Sequence, residues 1–266
     1  MQTFKIIHPS PALKPFVRYY WVLQDSSPGI VSQRTLPTGC MSLVFHRGER
    51  LKVVSQNDLQ PRCFISGQKT CFKDVFPREN IKMIGPFFPP HTKNFFFHPP
   101  ASLFCNRNIS IYDIEDIELQ DLAGKMGDAD NLDTAVILIE NFLLNRVLLE
   151  NNYNIPRLST VVRHISNSVH TNIKGLADIA CLSEKQFCRV FSEHIGTTPK
   201  DFLRIIRLQR TLSVLQHNPK IGFAQLSYEC GYTDQSHMIK EFRLFTGYTP
   251  KEYISRCAPV SDYFTF

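Results

Sequence analysis

The C-terminal part of the chain contains an internal repeat, and this feature restricts the fold more than any other. Four pairs of residues stand 51 positions apart: Phe191 and Phe242, Gly196 and Gly247, Pro199 and Pro250, and Phe202 and Tyr253. Upstream, Leu176 and Leu226 stand 50 positions apart, so the second copy has one extra residue, in the turn at 231–233. A repeat of this kind predicts two copies of one supersecondary unit.

Each copy has the pattern of a helix, a tight turn and a second helix. Ser183 and Asp234 stand where an N-cap side chain accepts a hydrogen bond from the start of the second helix. Gly196 and Gly247 follow the last apolar position of that helix and predict its end. Pro199 then begins a long helix that joins the two copies.

A helix-turn-helix suits double-stranded DNA, because the major groove is wide enough to admit its second helix. Base contacts are predicted for the outer face of each second helix, at Glu184, Lys185, Cys188 and Arg189 and at Gln235, Ser236, Ile239 and Lys240. Phosphate contacts are predicted for Lys174, Arg204, His237 and Arg243. Two units joined by one helix would reach successive major-groove segments, about 34 Å apart.

Four of these side chains have a suitable partner among the bases. Arg189 can donate two hydrogen bonds to guanine, Glu184 can accept one from cytosine, and Gln235 can pair with adenine. Lys240 fits either a guanine or a phosphate. Each residue taken singly is more typical of a solvated helix surface, so the prediction of DNA binding depends on the paired pattern.

The net charge follows the same division of the chain. The 266 residues include 30 Lys and Arg and 24 Asp and Glu, which gives a net charge of +6. Residues 1–156 contain 16 basic and 15 acidic side chains, whereas residues 157–266 contain 14 and 9. Five of the six excess positive charges therefore lie on the part that contains the repeat, as expected of a segment that binds a polyanion.

The first 110 residues have a different composition. Apolar and aromatic runs at 16–24, 41–48 and 62–68 are bounded by Pro, Gly, Asn and Asp, which predicts short β-strands. We expect a mostly antiparallel barrel or sandwich. The chain as a whole is therefore predicted to be of the α+β class, with an all-α C-terminal domain.

Helical elements are expected to connect the two parts. Residues 111–130 are acidic and predict a loop and a short helix, and residues 132–150 predict a helix that is apolar on most sides. Such a helix can pack within its own chain or against a second copy, and it is the expected place of coupling between the two parts. The polar segment 150–157 predicts a linker, with a boundary near residue 152.

The predicted domains are therefore a β-rich domain at 1–110, a helical connector at 111–151 and a DNA-binding domain at 152–266. Aromatic side chains of the first domain can line a pocket for a small organic molecule. The candidates for this pocket are Phe16, Tyr20, Trp21, Phe45 and Phe64, although the same rings are typical of a hydrophobic core.

Several other classes of protein are not favoured by the sequence. The eight cysteines include no C-x-x-C pair, the N-terminal residues do not resemble a signal peptide, and no apolar run is long enough for a membrane span. The sequence has no H-x-H, H-E-x-x-H or G-x-S-x-G motif. We therefore expect a cytoplasmic protein that is not an enzyme and has no cofactor or metal. A metal-dependent barrel enzyme, with His46, His91 and His98, is the weaker alternative.

The segment at 231–253, GYTDQSHMIKEFRLFTGYTPKEY, resembles the signature of the AraC/XylS family of bacterial transcription regulators. Gly231, Asp234, Ser236, Phe242, Gly247, Thr249, Pro250 and Tyr253 match the family pattern. Lys240 stands in place of an Arg, so that a bidentate contact is not expected there. Cys188, at another base-contacting position of the pattern, is a weak hydrogen-bonding group and suits an apolar contact.

The resemblance implies two three-helix units bridged by a long helix. It also implies that the N-terminal part is similar to the cupin-like sensory domains of this family, which bind a small effector or form a homodimer. RNA polymerase is then an expected partner, activation is the expected outcome, and association with the nucleoid is the expected location. A constitutive DNA-binding protein, whose N-terminal domain only dimerises, remains the alternative.

Overall fold

A computed structural model describes residues 2–26, 32–55, 57–77, 79–147 and 154–256 of the chain. Two antiparallel sheets, one of six strands and one of four, lie within the first 110 residues. The described α-helices follow from residue 117 onward. The division into a β-rich part and a helical part therefore agrees with the change in composition along the sequence.

Ten described strands form the two sheets, and the chain passes between the sheets several times. The strands are β1 (Gln2–Ile7), β2 (Tyr19–Asp25), β3 (Gln33–Thr35), β4 (Met41–His46), β5 (Lys52–Val53), β6 (Asp58–Leu59), β7 (Cys63–Ser66), β8 (Lys73–Phe76), β9 (Ile81–Phe88) and β10 (Asn108–Ser110). The larger sheet has the order β1-β2-β9-β4-β7-β10 and the smaller one β3-β8-β5-β6. Among the described strands neither sheet closes on itself, so the sandwich is observed and the barrel is not.

The central strand β4 shows why the larger sheet is covered on both faces. All six of its residues are buried. Leu43 and Phe45 belong to a hydrophobic cluster on the helical side of the sheet. Val44 belongs to a second cluster, which includes Val75 of β8 in the smaller sheet and Leu51, the residue before β5. A strand with two buried faces has a continuous apolar sequence, as the run MSLVFH has.

Two helices cover the outer face of the larger sheet, α1 (Ile117–Asp128) and α2 (Leu132–Val147). Asp116 caps α1, since its carboxylate accepts a hydrogen bond from the Leu119 amide at 3.0 Å. The same carboxylate receives two hydrogen bonds from Arg146 of α2, at 2.5 and 2.6 Å. This buried ion pair fixes the two helices against each other.

Helix α2 corresponds to the helix predicted at 132–150. Ile139 and Leu143 are fully buried in the cluster on the sheet, whereas Ile137 is 57% exposed. The helix is therefore fully buried on one face. Residues 148–153, which include the predicted boundary near 152, lie outside the described residues. The predicted linker at 150–157 is helical from Asn154 onward.

Seven helices form the described C-terminal part. They are α3 (Asn154–Asn167), α4 (Ile173–Ile179), α5 (Glu184–Ile195), α6 (Pro199–His217), α7 (Phe223–Glu229), α8 (Gln235–Thr246) and α9 (Pro250–Arg256). Two separate hydrophobic clusters divide them into two units, α3–α5 and α7–α9, and α6 contributes to both. The expected arrangement of two three-helix units and a bridging helix is confirmed.

The predicted ends of the second helices are also observed. The Ser183 hydroxyl accepts a hydrogen bond from the Gln186 amide, and the Asp234 carboxylate accepts one from the His237 amide. Gly196 and Gly247 end α5 and α8 with φ angles of 94° and 75°. These left-handed angles favour glycine because it has no Cβ atom.

The turns of the two units differ by one residue, as the offset of the repeat predicts. The first turn spans residues 180–183 between α4 and α5, and the second spans residues 230–234 between α7 and α8. Each has a left-handed residue at its second position, Cys181 with φ 53° and Gly231 with φ 77°. The first turn therefore holds a side chain in a conformation that is unfavourable for it.

The β-rich part holds the second helical unit through Arg34. Its guanidinium donates two hydrogen bonds to the Asp74 carboxylate, at 2.7 and 2.8 Å, and a third to the Thr246 carbonyl at the end of α8, at 2.8 Å. The guanidinium carbon lies 4.0 Å from the centre of the Phe72 ring and 4.6 Å from that of Tyr248. Arg34 is thus held on both sides of the boundary between the two parts.

Further contacts extend this boundary. Leu36 is buried in the cluster of the second unit, and the Gln209 amide of α6 donates a hydrogen bond to the Pro37 carbonyl. In the first unit the end of α5 packs on the 3₁₀ turn Ala101–Phe104, where a Cβ atom at Gly196 would lie 2.9 Å from the Ala101 carbonyl oxygen. Both helical units therefore contact the β-rich part.

We expect Cys181→Gly to raise the free energy of unfolding by about 0.5–1 kcal/mol, since it removes the unfavourable left-handed side chain. Cys181 is exposed, so little packing is lost. Gly231→Ala at the equivalent position should have the opposite effect, because its Cβ would lie 2.7 Å from Val169 Cγ1. Urea denaturation of the two variants measures both changes, and a loss of stability in Cys181→Gly would contradict the assignment.

Candidate nucleic-acid interface

The outer face of α5 carries the side chains that the sequence predicts as base contacts. Glu184, Lys185 and Arg189 are exposed, and Cys188 is half-buried. The opposite face is fixed in the core of the first unit, where Phe191 packs between two other aromatic rings at centroid distances of 5.4 and 5.5 Å. The helix is therefore anchored on one side and available to a ligand on the other.

The outer face of α8 repeats this arrangement. Gln235, Ser236 and Lys240 are exposed, at the positions that correspond to Glu184, Lys185 and Arg189 of α5. Ile239 is half-buried, as Cys188 is in the first unit. We call these two surfaces together the reading face: Glu184, Lys185, Cys188 and Arg189 of α5, and Gln235, Ser236, Ile239 and Lys240 of α8.

Four cations lie on or beside the reading face with no internal partner. Across the described ranges, the side chains of Lys185, Arg189, Lys240 and Arg243 make no hydrogen bond or ion pair. Arg189 and Lys240 are equivalent in the repeat, so each unit presents one cation at the same place. Exposed and unpaired cations of this kind are available to pair with phosphates or guanine bases.

The remaining predicted residues are placed differently. His237 is half-buried, with its Nε2 atom 3.5 Å from a carboxylate oxygen of Glu241. Arg204 lies on α6 and donates a hydrogen bond to Glu241 at 2.7 Å, while its guanidinium packs over the Phe245 ring. The phosphate contact of Arg204 stays a prediction, and the structure adds that its guanidinium is paired with Glu241.

Glu241 therefore joins α6 to α8, the helix that carries the reading face of the second unit. Its carboxylate receives hydrogen bonds from Arg204 at 2.7 Å and from Arg207 at 3.1 Å, and its side chain is only 9% exposed. Burial by itself would raise the pKa of Glu241, but the hydrogen bonds and the charges of the two arginines outweigh it and lower that pKa. The ionised carboxylate is thus part of the folded unit.

The five aromatic candidates for an effector pocket do not lie together. Tyr20 and Phe45 are buried in the cluster on the helical side of the larger sheet, with Phe16 packed against it. Trp21 and Phe64 are buried between the two sheets. Neighbouring residues of a strand point to opposite faces, so Tyr20 and Trp21 cannot line one pocket. The five side chains instead belong to two separate cores.

The histidines of the alternative enzyme interpretation are also separated. His46 is buried with its Nε2 atom 3.1 Å from Gln60 Oε1, and burial lowers its pKa to about 4. Burial likewise lowers the pKa of His91 to about 4. No group of three His, Cys, Asp or Glu side chains suited to a metal ion occurs in the described part of the chain.

Comparison with known proteins identifies relatives of the helix-turn-helix part of the chain. Residues 176–256 match the family model of a helix-turn-helix domain, and residues 5–110 match that of a domain of unknown function (DUF6597). The transcriptional activator RhaS of Escherichia fergusonii is 29% identical over 79 residues, which are 30% of this chain and 28% of RhaS. Residues 176–256 are thus similar to the DNA-binding domains of AraC-type transcription regulators. The relatives matched here are transcription regulators.

A second relative extends the match slightly. An uncharacterised HTH-type transcriptional regulator of Haemophilus influenzae is 31% identical over 96 residues, which are 36% of this chain and 31% of the relative. The chain thus spans about a third of the length of these relatives. The crystal structure of ToxT from Vibrio cholerae is 9% identical, covers 89% of this chain and 97% of ToxT, and has a TM-score of 0.48.

Within the described ranges, no helix combines the length and the apolar composition that a bilayer crossing requires.

We expect Glu241→Gln to lower the free energy of unfolding by about 1–3 kcal/mol, because it removes the charge that pairs two partly exposed arginines. The difference from the wild type should be full above pH 4.5, the usual pKa of a glutamate, and should shrink as the pH falls through the lowered pKa of Glu241. Chemical denaturation at several pH values measures this change.

The matched control is Glu229→Gln, at an exposed carboxylate at the end of α7. Its stability should stay within about 0.5 kcal/mol of the wild type, as is usual for surface positions. Equal effects of the two substitutions, or a difference for Glu241→Gln that does not depend on pH, would contradict the role assigned to the Glu241 ion pairs.

Proposed function

We propose that this protein is a sequence-specific transcription regulator of the AraC family that reads two successive major-groove segments of double-stranded DNA. One observation carries the proposal: α5 and α8 present equivalent exposed faces, with the unpaired cations Arg189 and Lys240 at the same place in the repeat, on two units joined by a single helix. The α6 helix and the Glu241 ion pairs hold the second face in place, so both helices can be inserted into one duplex together.

The reading face supports separate roles for its side chains. Arg189 is exposed and can donate two hydrogen bonds to O6 and N7 of guanine, and Gln235 can pair with N6 and N7 of adenine. Glu184 can accept a hydrogen bond from cytosine N4. Cys188 supplies an apolar contact.

The contacts outside the bases position the protein on the duplex. Lys240 has a single ammonium group, which suits a phosphate as well as a guanine. Arg243 is exposed beside it on α8, and His237 is close to the start of that helix. Phosphate contacts of this kind fix register and orientation without selecting a sequence.

The β-rich part is proposed to control the helical part. The contacts that support this are those of residues 34–37 and of the Ala101–Phe104 turn, whereas α2, the expected coupling helix, packs on the larger sheet. Binding of an effector or formation of a homodimer would then act on DNA affinity by shifting the position of the two units. Activation through RNA polymerase is the outcome that we propose.

Genome-wide mapping of binding sites followed by affinity measurements tests the proposal. Arg189→Ala should weaken binding to the mapped site by about 1–3 kcal/mol and should relax the preference at one base pair. A uniform loss of affinity on every sequence would instead assign Arg189 to a phosphate. Failure of the wild-type chain to select any sequence would overturn the proposed function.

Two further variants separate base contacts from charge effects. Lys240→Ala should reduce the slope of log K against log salt concentration by about 1 if the ammonium group neutralises a phosphate. Lys125→Ala removes an exposed cation of α1, in the β-rich half of the chain, and should leave both the affinity and the slope unchanged.

Substitution of Arg34 tests whether the β-rich part and the helical part unfold together. We expect Arg34→Gln to break the contacts with Asp74 and Thr246 and to divide one thermal unfolding transition into two, as the helical part loses its support. Differential scanning calorimetry measures the change, with Arg62→Gln, at an exposed position, as the control. A single unaltered transition would show that the two parts are not coupled through Arg34, as the constitutive alternative requires.

A further inference from the structure

A cleft of about 500 Å³ lies beside the reading helix of the first unit. One wall is the segment 94–100 of the β-rich part, and the other walls are the start of α3 and the side of α5. The volume is within the range of small-molecule sites, which is about 300–1,000 Å³. The cleft is therefore large enough for an organic ligand rather than for water alone.

The polar lining of this cleft is predominantly basic. Arg157 of α3 and Arg189 of α5 contribute guanidinium groups, and His98 contributes an imidazole from the opposite wall. Glu193 is the one carboxylate that lines the cleft as described. Guanidinium groups bind carboxylates and phosphates through paired hydrogen bonds, so the lining favours an anion.

Apolar side chains complete the lining. Phe97 comes from the segment 94–100, and Leu182 and Val190 come from the second wall. Asn94 and Gln186 add amide groups that can donate or accept hydrogen bonds. A few polar groups among apolar ones are typical of sites for organic molecules. The best-fitting ligand has one acidic group and an apolar body.

The wall formed by residues 94–100 is held in place from within. Lys93 is fully buried, and its ammonium group donates hydrogen bonds to the Pro99 carbonyl and to Asn94 Oδ1. Arg146 of α2 donates a hydrogen bond to the Phe96 carbonyl at 2.8 Å. Because these bonds fix the backbone of the segment, the cleft is formed before any ligand binds, which lowers the cost of binding.

Arg189 belongs both to the cleft and to the reading face. Its side chain lines the cleft, is exposed, and has no hydrogen bond or ion pair to any described residue. A guanidinium group that is paired with an anion in the cleft is not available to a guanine in the major groove. Ligand and DNA would therefore lower each other's affinity, since coupling between two sites is reciprocal.

We propose that this cleft binds a small organic anion, a carboxylate or a phosphate with an apolar body, which pairs with Arg189 and thereby competes with DNA. The competition rests on the proposed function. The site differs from the pocket expected among Phe16, Tyr20, Trp21, Phe45 and Phe64, because it lies between the two parts of the chain.

Calorimetric titration of the full chain with benzoate and with phenyl phosphate tests the anion site, and benzyl alcohol at the same ionic strength is the neutral control. We expect one of the two anions to bind and the alcohol not to bind. Arg157→Gln and Arg189→Gln should each weaken anion binding at least tenfold. If either arginine variant fails to fold, His98→Ala, at an exposed position, replaces it in the test and should also weaken anion binding. Absence of anion binding, or binding that none of these substitutions changes, overturns the proposal.

The competition is measured with a mapped DNA site at constant ionic strength. An anion concentration ten times its dissociation constant should lower the apparent DNA affinity of the wild type about tenfold. His98→Ala should bind DNA as the wild type does without the anion and should lose this response. Unchanged DNA affinity in the presence of bound anion overturns the competition. Absence of DNA binding overturns the proposed function, while calorimetry still decides whether the cleft binds an anion.

Discussion

The ion pairs of Glu241 are the interaction on which the arrangement of the second reading helix depends. Apolar packing between α6 and α8 has little directional preference, whereas a carboxylate that accepts hydrogen bonds from Arg204 and Arg207 specifies both distance and angle. DNA presents its grooves at fixed intervals. A protein that reads two of them needs such a directional contact between its units.

Among the described residues, the first unit has no equivalent of the Glu241 ion pairs. The position equivalent to Glu241 is Val190, which is buried and lines the cleft beside the segment 94–100. Two copies that share caps, core positions and terminal glycines therefore differ in what supports them. Both units contact the β-rich part, but among the described residues the ion pairs to α6 occur in the second unit, whereas α5 of the first unit lines the cleft with the segment 94–100. Control by that part is expected to act first on α5.

Local signals in the sequence predicted much of the helical part. The caps at Ser183 and Asp234, the terminal glycines and the longer second turn each depend on residues a few positions apart. The partners of Glu241 lie 34 and 37 positions away along the chain, so a local sequence pattern does not predict these ion pairs. The same limit applies to the cleft, whose walls come from segments about 90 residues apart.

The β-rich part was predictable in class but not in detail. Runs of apolar residues predicted strands, whereas the choice between a sandwich and a barrel depends on how the outer strands pair. The separation of Tyr20 from Trp21 follows from the alternation of a strand and was open to prediction. The existence of two buried clusters could not be predicted, because the sequence does not show which strands belong to the smaller sheet.

The contacts at the ends of α5 and α8 have a consequence for genetics. Ala101 lies against the end of one reading helix and Arg34 against the end of the other, and both belong to a single β-rich body. The distance between the two helices is thus determined both by α6 and by this body. Some mutations should therefore change the spacing between the two DNA half-sites that the protein recognises. These mutations are expected outside the helix-turn-helix region, in the loops around residues 34–37 and 100–104.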